Sequence, residues 1–454
     1  MTNRKQFTFF AIVGILAFNL IFGYTVYSEE QQKNSSDQIE SVRVLVDAVK
    51  ILRKNYVDKD KVTYQKLVYA ALQGMVKELD QHSRFHKPAK NVDIKEDSAG
   101  KFAGIGVTIS FLDKKLIIKK IIPNGPASKS AIQAEDIIVA IDNIRMTGDG
   151  FDEAKKYLKG EVGTNVLVTV VRENVENELS YTLTRDFVIV PSITRARLLP
   201  NTKLAYVHVV QFSQNTARDF KSELEKLKAA GAKGLIIDLR GNPGGMLSTA
   251  VKMCSFFLNE DDLVIYTKGR IKKDQRNYNA VGGKKFLKMP IVILIDKGSA
   301  SASEIMAACL QDYHKTVLVG VKTYGKGSVQ TIVDLRDGSA IRFTIAKYYT
   351  KSGRTIHKVG IEPDVLVKIS TEQQQELFSH LGDLFPTADE VGAYDQQDTQ
   401  LKAAMGVLQD LIEIDQSKPI HQVFEEHKDD LLKKYSISEL EIEKSENDQP
   451  KQKD

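Results

Sequence analysis

The stretch PIVILIDKGSASASEIMAACLQDY, Pro290 to Tyr313, places a continuous apolar run directly before a segment with one apolar face. A short aliphatic run without polar alternation is typical of a strand that is buried on both faces. The apolar residues after the serine-rich turn follow a helical pattern. The stretch therefore predicts a buried strand that passes through a tight turn into a helix.

The same alternation of strands and helices recurs on both sides of this stretch, from Leu204 onwards. Continuous apolar strands joined through helices imply a largely buried sheet with crossover connections, which is an α/β core. After the last of these strands, a β-rich segment with Asp337-Gly338 at its centre predicts a hairpin. The segments of the core are, in order, LAYVHVVQF, TARDFKSELEKLKAAG, GLIIDLRGNPGG, MLSTAVKMCSFFL, PIVILIDKGSA, SASEIMAACLQDY and TVLVG.

Three further segments flank this core. Residues 39–79 carry apolar side chains at helical spacing, which predicts helices. From Gly100 the pattern changes to short β-rich runs separated by Gly, Pro and Asn, which predicts a compact module of roughly ninety residues. The residues after 370 are predicted to be helical and polar, and the terminal EKSENDQPKQKD is expected to be disordered.

The first residues have the layout of an export signal. Arg4 and Lys5 precede 21 residues without charge, Phe7 to Tyr27. A basic start followed by an apolar centre is typical of a secretory signal peptide, and about 20 apolar residues also suffice to span a bilayer. A cleaved signal and an uncleaved anchor both remain open, and in either case the rest of the chain is expected to be exported.

Composition narrows the possible functions. The 454 residues are 42% hydrophobic and 27% charged, as in an ordinary globular protein. The 64 basic and 59 acidic residues are mixed along the chain, so no basic patch predicts nucleic-acid binding. No metal-binding spacing of His or Cys occurs, and no cofactor is expected. Cys254 and Cys309 lie in apolar helical segments and are interpreted as buried free thiols, with a single disulfide as the alternative.

Three serines, Ser299, Ser301 and Ser303, lie where the strand of the opening stretch meets its helix. Such a junction can expose a hydroxyl and direct helix N–H groups at a developing negative charge. A serine at this place can equally be an ordinary helix N-cap. The local sequence does not choose between the two interpretations, nor among the three serines.

The stretch GVKTYGKGSVQ, Gly320 to Gln330, is one residue short of a phosphate-binding loop, because Gly327 replaces the hydroxyl that follows the lysine. The residues after Lys326 are β-branched, so no helix N-terminus is expected to hold a phosphate. Lys326 is instead a candidate general base if burial lowers its pKa. On an extended strand, Gln330 would share its face and could orient it, or could be an ordinary polar strand residue.

The segments GSASASEI and LQD, followed by TYGKGSVQ, resemble the carboxy-terminal processing peptidases, also called tail-specific proteases. This resemblance implies that Ser301 is the nucleophile, Lys326 the general base and Gln330 the residue that orients the lysine. It also implies supporting roles for three residues, which are Glu304, Asp312 and Thr323.

Other segments resemble the same family between about residues 40 and 370. LIIDLRGNPGG, Leu235 to Gly245, is similar to the loop that donates a backbone N–H to the oxyanion. The resemblance implies that Gly244 or Gly245 forms this oxyanion hole with Ala302. NYVD, LDQHS and YYTKSGRTIHKVGIEPD also match, although Gln81 stands where a proline is usual.

The β-rich module resembles a PDZ domain. FAGIGV is similar to the loop whose backbone N–H groups bind a peptide C-terminal carboxylate, with the peptide added as a strand beside GVTIS. The sequence departs from the family pattern at Ala134-Glu135, where Ala-Gly is usual. Arg172 resembles an arginine that links this module to the protease. The peptide-binding residues implied are Phe102, Gly104, Ile105, Gly106 and Val107.

The sequence therefore predicts a multi-domain α/β protein and a serine endopeptidase. It is expected to act in the periplasm, or on the outer face of the bacterial inner membrane, on proteins with apolar, disordered C-terminal tails. A regulatory adaptor and a homodimer formed through the C-terminal helices are possible partners, and the alternative function is a PDZ adaptor on a degenerate, non-catalytic protease fold. The expected regions are a signal peptide or membrane anchor (1–28), a helical region (36–95), a PDZ domain (96–185), a protease core (186–370) and a helical C-terminal extension with a disordered tail (371–454).

Overall fold

The computed structural model describes residues 40–146, 151–282, 286–384 and 386–438. The expected signal or anchor and the expected disordered tail lie outside these residues. Within them, no helix is both long enough and apolar enough to cross a bilayer. The described chain divides into two compact units, with the boundary between Lys87 and Pro88.

The first unit is mainly helical, as the apolar spacing predicts. Helix α1 covers residues 40–55, α2 covers Tyr64–Lys77, and a short strand, β1, covers Arg84–His86. Thr63 caps α2 by accepting a hydrogen bond from the Lys66 N–H. Asp80 Oδ1 accepts from the N–H groups of His82 and Ser83, so a side-chain turn ends the helical segment.

The second unit begins with α3, Pro88–Ala99. It continues into the antiparallel module whose sequence resembles a PDZ domain. Its main sheet has the order β3-β4-β5-β7-β8, with β6 on β5, and β2 pairs with β9. The elements are β2 Lys101–Gly104, β3 Val107–Leu112, β4 Lys115–Ile121, β5 Ile137–Ile141, β6 Ile144–Arg145, α4 Phe151–Leu158, β7 Asn165–Val171, β8 Leu179–Thr184 and β9 Asp186–Ile189.

The unusual Ala134-Glu135 pair keeps a tight turn in this module. Glu135 has a φ of 67°, a left-handed conformation that glycine adopts without strain. Its N–H donates to the Ile118 carbonyl at 2.7 Å, and its carboxylate lies 3.3 Å from Lys119 Nζ. The turn therefore forms with glutamate, at a backbone cost that glycine would avoid.

The α/β core predicted from the alternation is found in the central sheet, whose order is β10-β11-β12-β15-β16-β19. Its strands run parallel except for β10, which is antiparallel to β11. The strands are β10 Ile193–Leu198, β11 Leu204–Val209, β12 Gly234–Asp238, β15 Ile291–Ile295, β16 Thr316–Gly320 and β19 Val365–Leu366.

Helices cover both faces of this sheet. Alternate residues of each buried strand belong to two separate apolar clusters: Ile291 and Ile293 face one, and Val292 and Leu294 face the other. This pattern explains why the strands are apolar without interruption. The first cluster includes α5 Thr216–Ala229, α6 Leu247–Ser255 and α7 Ala302–Asp312, and the second includes α10 Thr399–Ile414, α11 Ile420–Glu426 and α12 Lys428–Tyr435.

The C-terminal helices are thus part of the core that the sequence placed at residues 186–370. Helices α8, Thr371–Leu381, and α9, Ala388–Asp395, connect the core to α10. At the start of α10, Asp398 binds both Nη atoms of the fully buried Arg240, at 2.6 and 2.9 Å. The apolar face of α10 is occupied by the chain's own sheet, and the homodimer expected through these helices stays a prediction.

A smaller antiparallel sheet completes the second unit. Strand β18, Ala340–Tyr349, pairs with β17, Ser328–Asp334, and with β13, Leu263–Gly269, which pairs with β14, Arg276–Asn279. The hairpin predicted around Asp337-Gly338 is confirmed as β17–β18, and Gly338 has the positive φ (83°) that the turn requires.

Candidate active site

The turn between β15 and α7 distinguishes the three serines. Ser299 Oγ donates to the Leu239 carbonyl at 2.7 Å, and Ser303 Oγ donates to the Asn242 carbonyl at 2.9 Å. Ser301 instead is the N-cap residue of α7 and forms a capping box with Glu304, and its side chain interacts with that of Tyr348. Ser301 has φ 56° and ψ −109°, an unfavourable conformation for a residue with a Cβ. The structure therefore distinguishes Ser301 from the other two serines, and it also places Ser301 at the helix N-cap, the alternative role that the sequence left open.

Glu304 joins this turn to the loop that carries Lys326. Its Oε2 accepts from the backbone N–H groups of Ser301 and Lys326, both at 2.8 Å. Its Oε1 accepts from the Gly325 N–H at 2.7 Å and from the Thr323 hydroxyl at 2.6 Å. Burial raises the pKa of this fully buried carboxyl, and the hydrogen bonds offset only part of that effect. Glu304 and Thr323, two predicted supporting residues, thus connect the two halves of the candidate site.

Lys326 is half-buried in a loop of closely packed backbone. A Cβ on the next residue, Gly327, would lie 2.2 Å from the His357 N, so only glycine allows this packing. Burial lowers the pKa of Lys326, the positive charge of Arg342 lowers it further, and Glu304 opposes both. The direction is the one that a lysine base needs. Within the described residues, no hydrogen bond joins Lys326 Nζ to Ser301 Oγ.

The residues after Lys326 form β17, as the β-branched pattern predicts. A phosphate-binding loop, which needs a helix N-terminus there, is therefore absent from this described stretch. Gln330 lies on β17 next to a register shift. Its Nε2 donates to Ser328 Oγ at 2.7 Å and to Thr344 Oγ1 at 3.3 Å, and no hydrogen bond of the described chain joins it to Lys326.

Gly244 and Gly245, between which the sequence left the choice for the oxyanion hole open, lie in different environments. A Cβ on Gly244 would lie 2.8 Å from the Ala302 N and 2.8 Å from Ser301 Cβ, so Gly244 packs directly on the serine turn. Its own N–H donates to Asn242 Oδ1 at 2.8 Å. Gly245 lies in a parallel bridge with Phe212, where the bonds are made by its neighbours and its own N–H faces away. Gly245 therefore carries the N–H that neither Asn242 nor Phe212 uses.

Asp312 lies at the far end of α7 from Ser301. It pairs with Arg354, and its Oδ2 accepts from the Ser352 N–H at 2.9 Å. Burial would raise the pKa of Asp312, but these hydrogen bonds and the charge of Arg354 lower it below the usual value. Asp312 thus holds the segment after β18 against α7, and its predicted supporting role is at a distance from the hydroxyl.

Two residues that the sequence did not single out complete the site. Tyr348 is 6% exposed and reaches Ser301 from β18, and burial raises the pKa of its hydroxyl. Asn242 is fully buried and binds the Val209 carbonyl through Nδ2 at 2.7 Å while it accepts from Gly244. The only sequence signal for Asn242 was its place in the glycine-rich loop. The free thiols Cys254 and Cys309 are buried, as interpreted, and no cluster of possible metal ligands occurs in the described residues.

The PDZ residues border a groove of about 350 Å³ between β3 and α4. Phe102, Ile105, Gly106 and Val107 line it, whereas Gly104 forms a backbone bridge with Lys159 at its end. Their binding of a peptide stays a prediction.

The predicted coupling residue, Arg172, binds both oxygens of the buried Asp136, at 2.7 and 2.8 Å. Its Nη2 also donates to the Ala131 carbonyl at 2.8 Å. Both partners lie within the PDZ region, so Arg172 stabilises that module in this structure. Its link to the protease stays a prediction.

Comparisons with known protein families identify two domains in the chain. Residues 203–367 match the model of peptidase family S41, and residues 103–183 match that of the PDZ domain. Among solved structures, the photosystem II D1 C-terminal processing protease is 27% identical with a TM-score of 0.42, and the alignment covers 75% of this chain and 96% of that one.

Two curated relatives extend the match to most of the chain. A carboxy-terminal-processing protease of Bartonella bacilliformis is 32% identical over 369 residues, which are 80% of this chain and 83% of that protein. A carboxyl-terminal-processing protease of a Synechocystis species is 31% identical over 375 residues, which are 78% of this chain and 87% of the relative. The chain therefore belongs to the carboxy-terminal-processing serine proteases of peptidase family S41 and carries their PDZ domain.

Proposed function

We propose that this chain is an endopeptidase in which Ser301 is the nucleophile and Lys326 the general base. The observation that carries the proposal is the shared carboxylate of Glu304, which holds the backbone of both residues at 2.8 Å. Through it, a strained serine and a lysine with a lowered pKa are held at the same point of the fold. A serine and a base that are fixed next to each other are the requirement for acyl transfer.

The reaction follows from these groups. Neutral Lys326 takes the proton of Ser301 Oγ while the oxygen attacks the peptide carbonyl, and the N–H groups of Ala302 and Gly245 bind the resulting oxyanion. When the C–N bond breaks, Lys326 returns the proton to the leaving amine. Lys326 then takes a proton from the water that attacks the acyl-enzyme. As the Oγ–acyl bond breaks, Lys326 returns this proton to Ser301 Oγ, and the product carboxylate leaves.

For the first step, Lys326 Nζ has to come within hydrogen-bond reach of Ser301 Oγ. Gln330 would have to exchange Ser328 and Thr344 for the lysine before it could orient the amine. Glu304 keeps the backbone of Ser301 and Lys326 in place, so the change at Lys326 is proposed to be a side-chain rotation. We therefore interpret the arrangement as a resting state from which the active one is reached locally.

The PDZ groove is proposed to recruit the substrate. Its walls present the apolar side chains of Ile105, Val107, Ile109 and Leu158, which suit apolar C-terminal residues of an extended peptide. A tail must be disordered to add to β3 as a strand. Protein substrates with apolar, disordered C-termini are therefore the proposed substrate class.

Hydrolysis of an unfolded protein with an apolar C-terminus tests the proposal. Ser301→Ala and Lys326→Ala are each expected to lower turnover at least about a thousandfold, because each variant lacks the proposed nucleophile or the proposed base. Lys322→Ala is the matched control, since this lysine lies in the same loop but is exposed and pairs with Glu362. Turnover near that of the wild type in either active-site variant would sink the assignment, and a stable complex without fragments would identify an adaptor.

We also propose that the enzyme acts in the cell envelope. The support is the sequence of residues 1–28, with two basic residues before an uncharged apolar run. Fractionation of bacteria that express the full chain is expected to place it outside the cytoplasm, and deletion of residues 1–28 is expected to retain it inside. Equal distributions of the two proteins would contradict export through this segment.

A further inference from the structure

One end of the PDZ groove is already in contact with a carboxylate of the chain itself. Glu96 of α3 places Oε2 at 2.5 Å from Lys159 Nζ, and its Oε1 accepts from the Ala103 N–H at 3.3 Å. Lys159 directly follows α4, and Ala103 lies on β2 in the FAGIGV loop. Both Glu96 and Lys159 line the groove. A carboxylate thus lies between a cation and a backbone donor at the end of a peptide-sized groove.

These are the partners that the terminal carboxylate of a bound peptide requires. A carboxylate in a largely apolar groove is stabilised by backbone N–H groups and a nearby cation. Lys159 is suited to this role because its side chain is only 23% exposed and its Nζ lies 5.3 Å from the centre of the Phe102 ring. Burial acts to lower the pKa of Lys159, but the hydrogen bonds of Glu96 and Asp93 raise it, so the amine is charged.

We propose that Lys159 is the subsite for the terminal carboxylate of a bound tail, and that Glu96 is an internal competitor for this subsite. The inference rests on the proposed function, because it takes the groove to be the site of tail binding. When a tail binds, its carboxylate replaces Glu96 at Lys159 and at the Ala103 N–H. Asp93, 3.0 Å from the same amine, keeps a second contact between α3 and the PDZ domain.

The opposite face of α3 connects this exchange to the protease. Asn91 Nδ2 donates to Asp334 Oδ1 at 2.8 Å and to the Gly338 carbonyl at 3.1 Å, and Lys95 Nζ lies 2.8 Å from Asp334 Oδ2. Asp334 is the last residue of β17, the strand that carries Gln330 and starts just after Lys326. Release of Glu96 therefore acts on a helix whose other face holds the catalytic hairpin.

Binding of peptides with and without a terminal carboxylate tests the subsite. In the Ser301→Ala protein, fluorescence anisotropy compares an apolar peptide that ends in a free acid with the same peptide ending in an amide. The acid is expected to bind more tightly. Lys159→Met is expected to weaken the acid about tenfold and leave the amide unchanged. Glu96→Gln is expected to strengthen the acid alone, and to have no effect once Lys159 is replaced.

Two neighbours in the same groove serve as matched controls. Lys155→Met removes a positive charge from α4 and Asp97→Asn removes a negative charge from α3, and both residues line the groove and are exposed. Equal binding of acid and amide to the parent protein, or equal effects of Lys159→Met and Lys155→Met, would overturn the subsite. Failure to bind either peptide would overturn it as well.

The outcome is separable from that of the peptidase proposal. Cleavage by the Ser301-containing protein reports the proposed function, whereas acid-selective binding is measured without catalysis. The step through α3 is tested by adding the acid peptide to the active enzyme and measuring turnover of an amidated reporter. Stimulation is expected, and Asn91→Ala or Lys95→Ala is expected to reduce it while peptide affinity is kept. Stimulation that both variants retain would overturn this step.

Discussion

Glu304 and Glu96 each bind a backbone N–H beside a functional site, but in very different surroundings. Glu304 is fully buried and accepts four hydrogen bonds from groups without a charge, from two segments of the protease core. Glu96 is 20% exposed, binds one N–H and one lysine, and shares that lysine with Asp93. The Glu304 carboxylate is shielded from solvent, whereas the partly exposed Glu96 carboxylate is the one that we propose is replaced by that of a bound peptide.

The difference separates the tasks of the two regions. The backbone of an active site has to be fixed, because a nucleophile and its oxyanion donors tolerate little misplacement. A recognition site that controls activity has to exchange contacts at small free-energy cost. The turn with Ser301 and the loop with Lys326 are connected by the buried carboxylate of Glu304. At the PDZ groove, α3 is connected to Lys159 by ion pairs that are partly exposed. In the proposed mechanism, the side chains of Lys326 and Gln330 are the groups that move when the enzyme becomes active.

Replacement of the buried carboxylate is expected to have the largest effect. In Glu304→Gln, the NH2 of the new amide would face two of the four donors that the carboxylate accepts from, and it cannot accept from them. We expect the free energy of unfolding to fall by about 2–4 kcal/mol and turnover to fall at least about a hundredfold. The reason is that the turn with Ser301 and the loop with Lys326 lose hydrogen bonds to the carboxylate that connects them. Denaturant unfolding and hydrolysis of the unfolded substrate measure the two quantities.

Glu362→Gln is the matched control for this change. Glu362 lies further along the chain than the loop with Lys326. It is exposed, and it forms an ion pair with the exposed Lys322. Its replacement is expected to alter stability by less than about 1 kcal/mol. Comparable losses of stability and turnover in Glu304→Gln and Glu362→Gln would show that the hydrogen bonds of Glu304 are not what holds Ser301 and Lys326 in place.

The next effect concerns the pKa of the base. The positive charge of Arg342 lowers the pKa of Lys326, so Arg342→Met is expected to raise it. If neutral Lys326 is the general base, as proposed, kcat/KM rises with pH through the Lys326 pKa, and this rise should move to higher pH in the variant. At neutral pH the activity is expected to fall several-fold, because a smaller fraction of the lysine is neutral, and it recovers at alkaline pH.

A pH profile of kcat/KM for the wild type, Arg342→Met and Arg336→Met measures this shift. Arg336 lies on the same hairpin but is exposed in its loop. Its replacement is expected to leave the profile in place. A profile of Arg342→Met that coincides with that of the wild type would show that another group sets the rise of kcat/KM with pH.

The sequence predicted the parts of the molecule that depend on local pattern. The uninterrupted apolar strands anticipated a sheet covered on both faces, and the β-branched residues after Lys326 anticipated β17 rather than a helix. The resemblance supplied Ser301 and Lys326. What local pattern could not supply was the choice among three serines, because that choice depends on the carbonyls of Leu239 and Asn242, which come from another strand end.

Long-range contacts account for the remaining differences. Tyr348 reaches Ser301 only because β18 folds back over the core, and its spacing in the chain gives no sign of this. The pair of Glu96 and Lys159 joins residues 63 positions apart, and surface charges carry no periodic signal. The C-terminal helices were expected to be an extension because their sequence is polar, yet the buried side chains of α10, among them Val407 and Leu408, cover a face of the sheet.

The smallest expected effect is that of the exchangeable carboxylate on stability. In Glu96→Gln, Lys159 keeps Asp93 as a partner, and the new amide oxygen can still accept from the Ala103 N–H. We expect the free energy of unfolding to fall by no more than about 1 kcal/mol, and by less at high salt, because a partly exposed ion pair contributes little and is screened. Thermal unfolding at two salt concentrations, with Asp97→Asn as the control, measures this change. A loss as large as that of Glu304→Gln would mean that Glu96 is part of the rigid framework, and the contrast between the two glutamates would then fail.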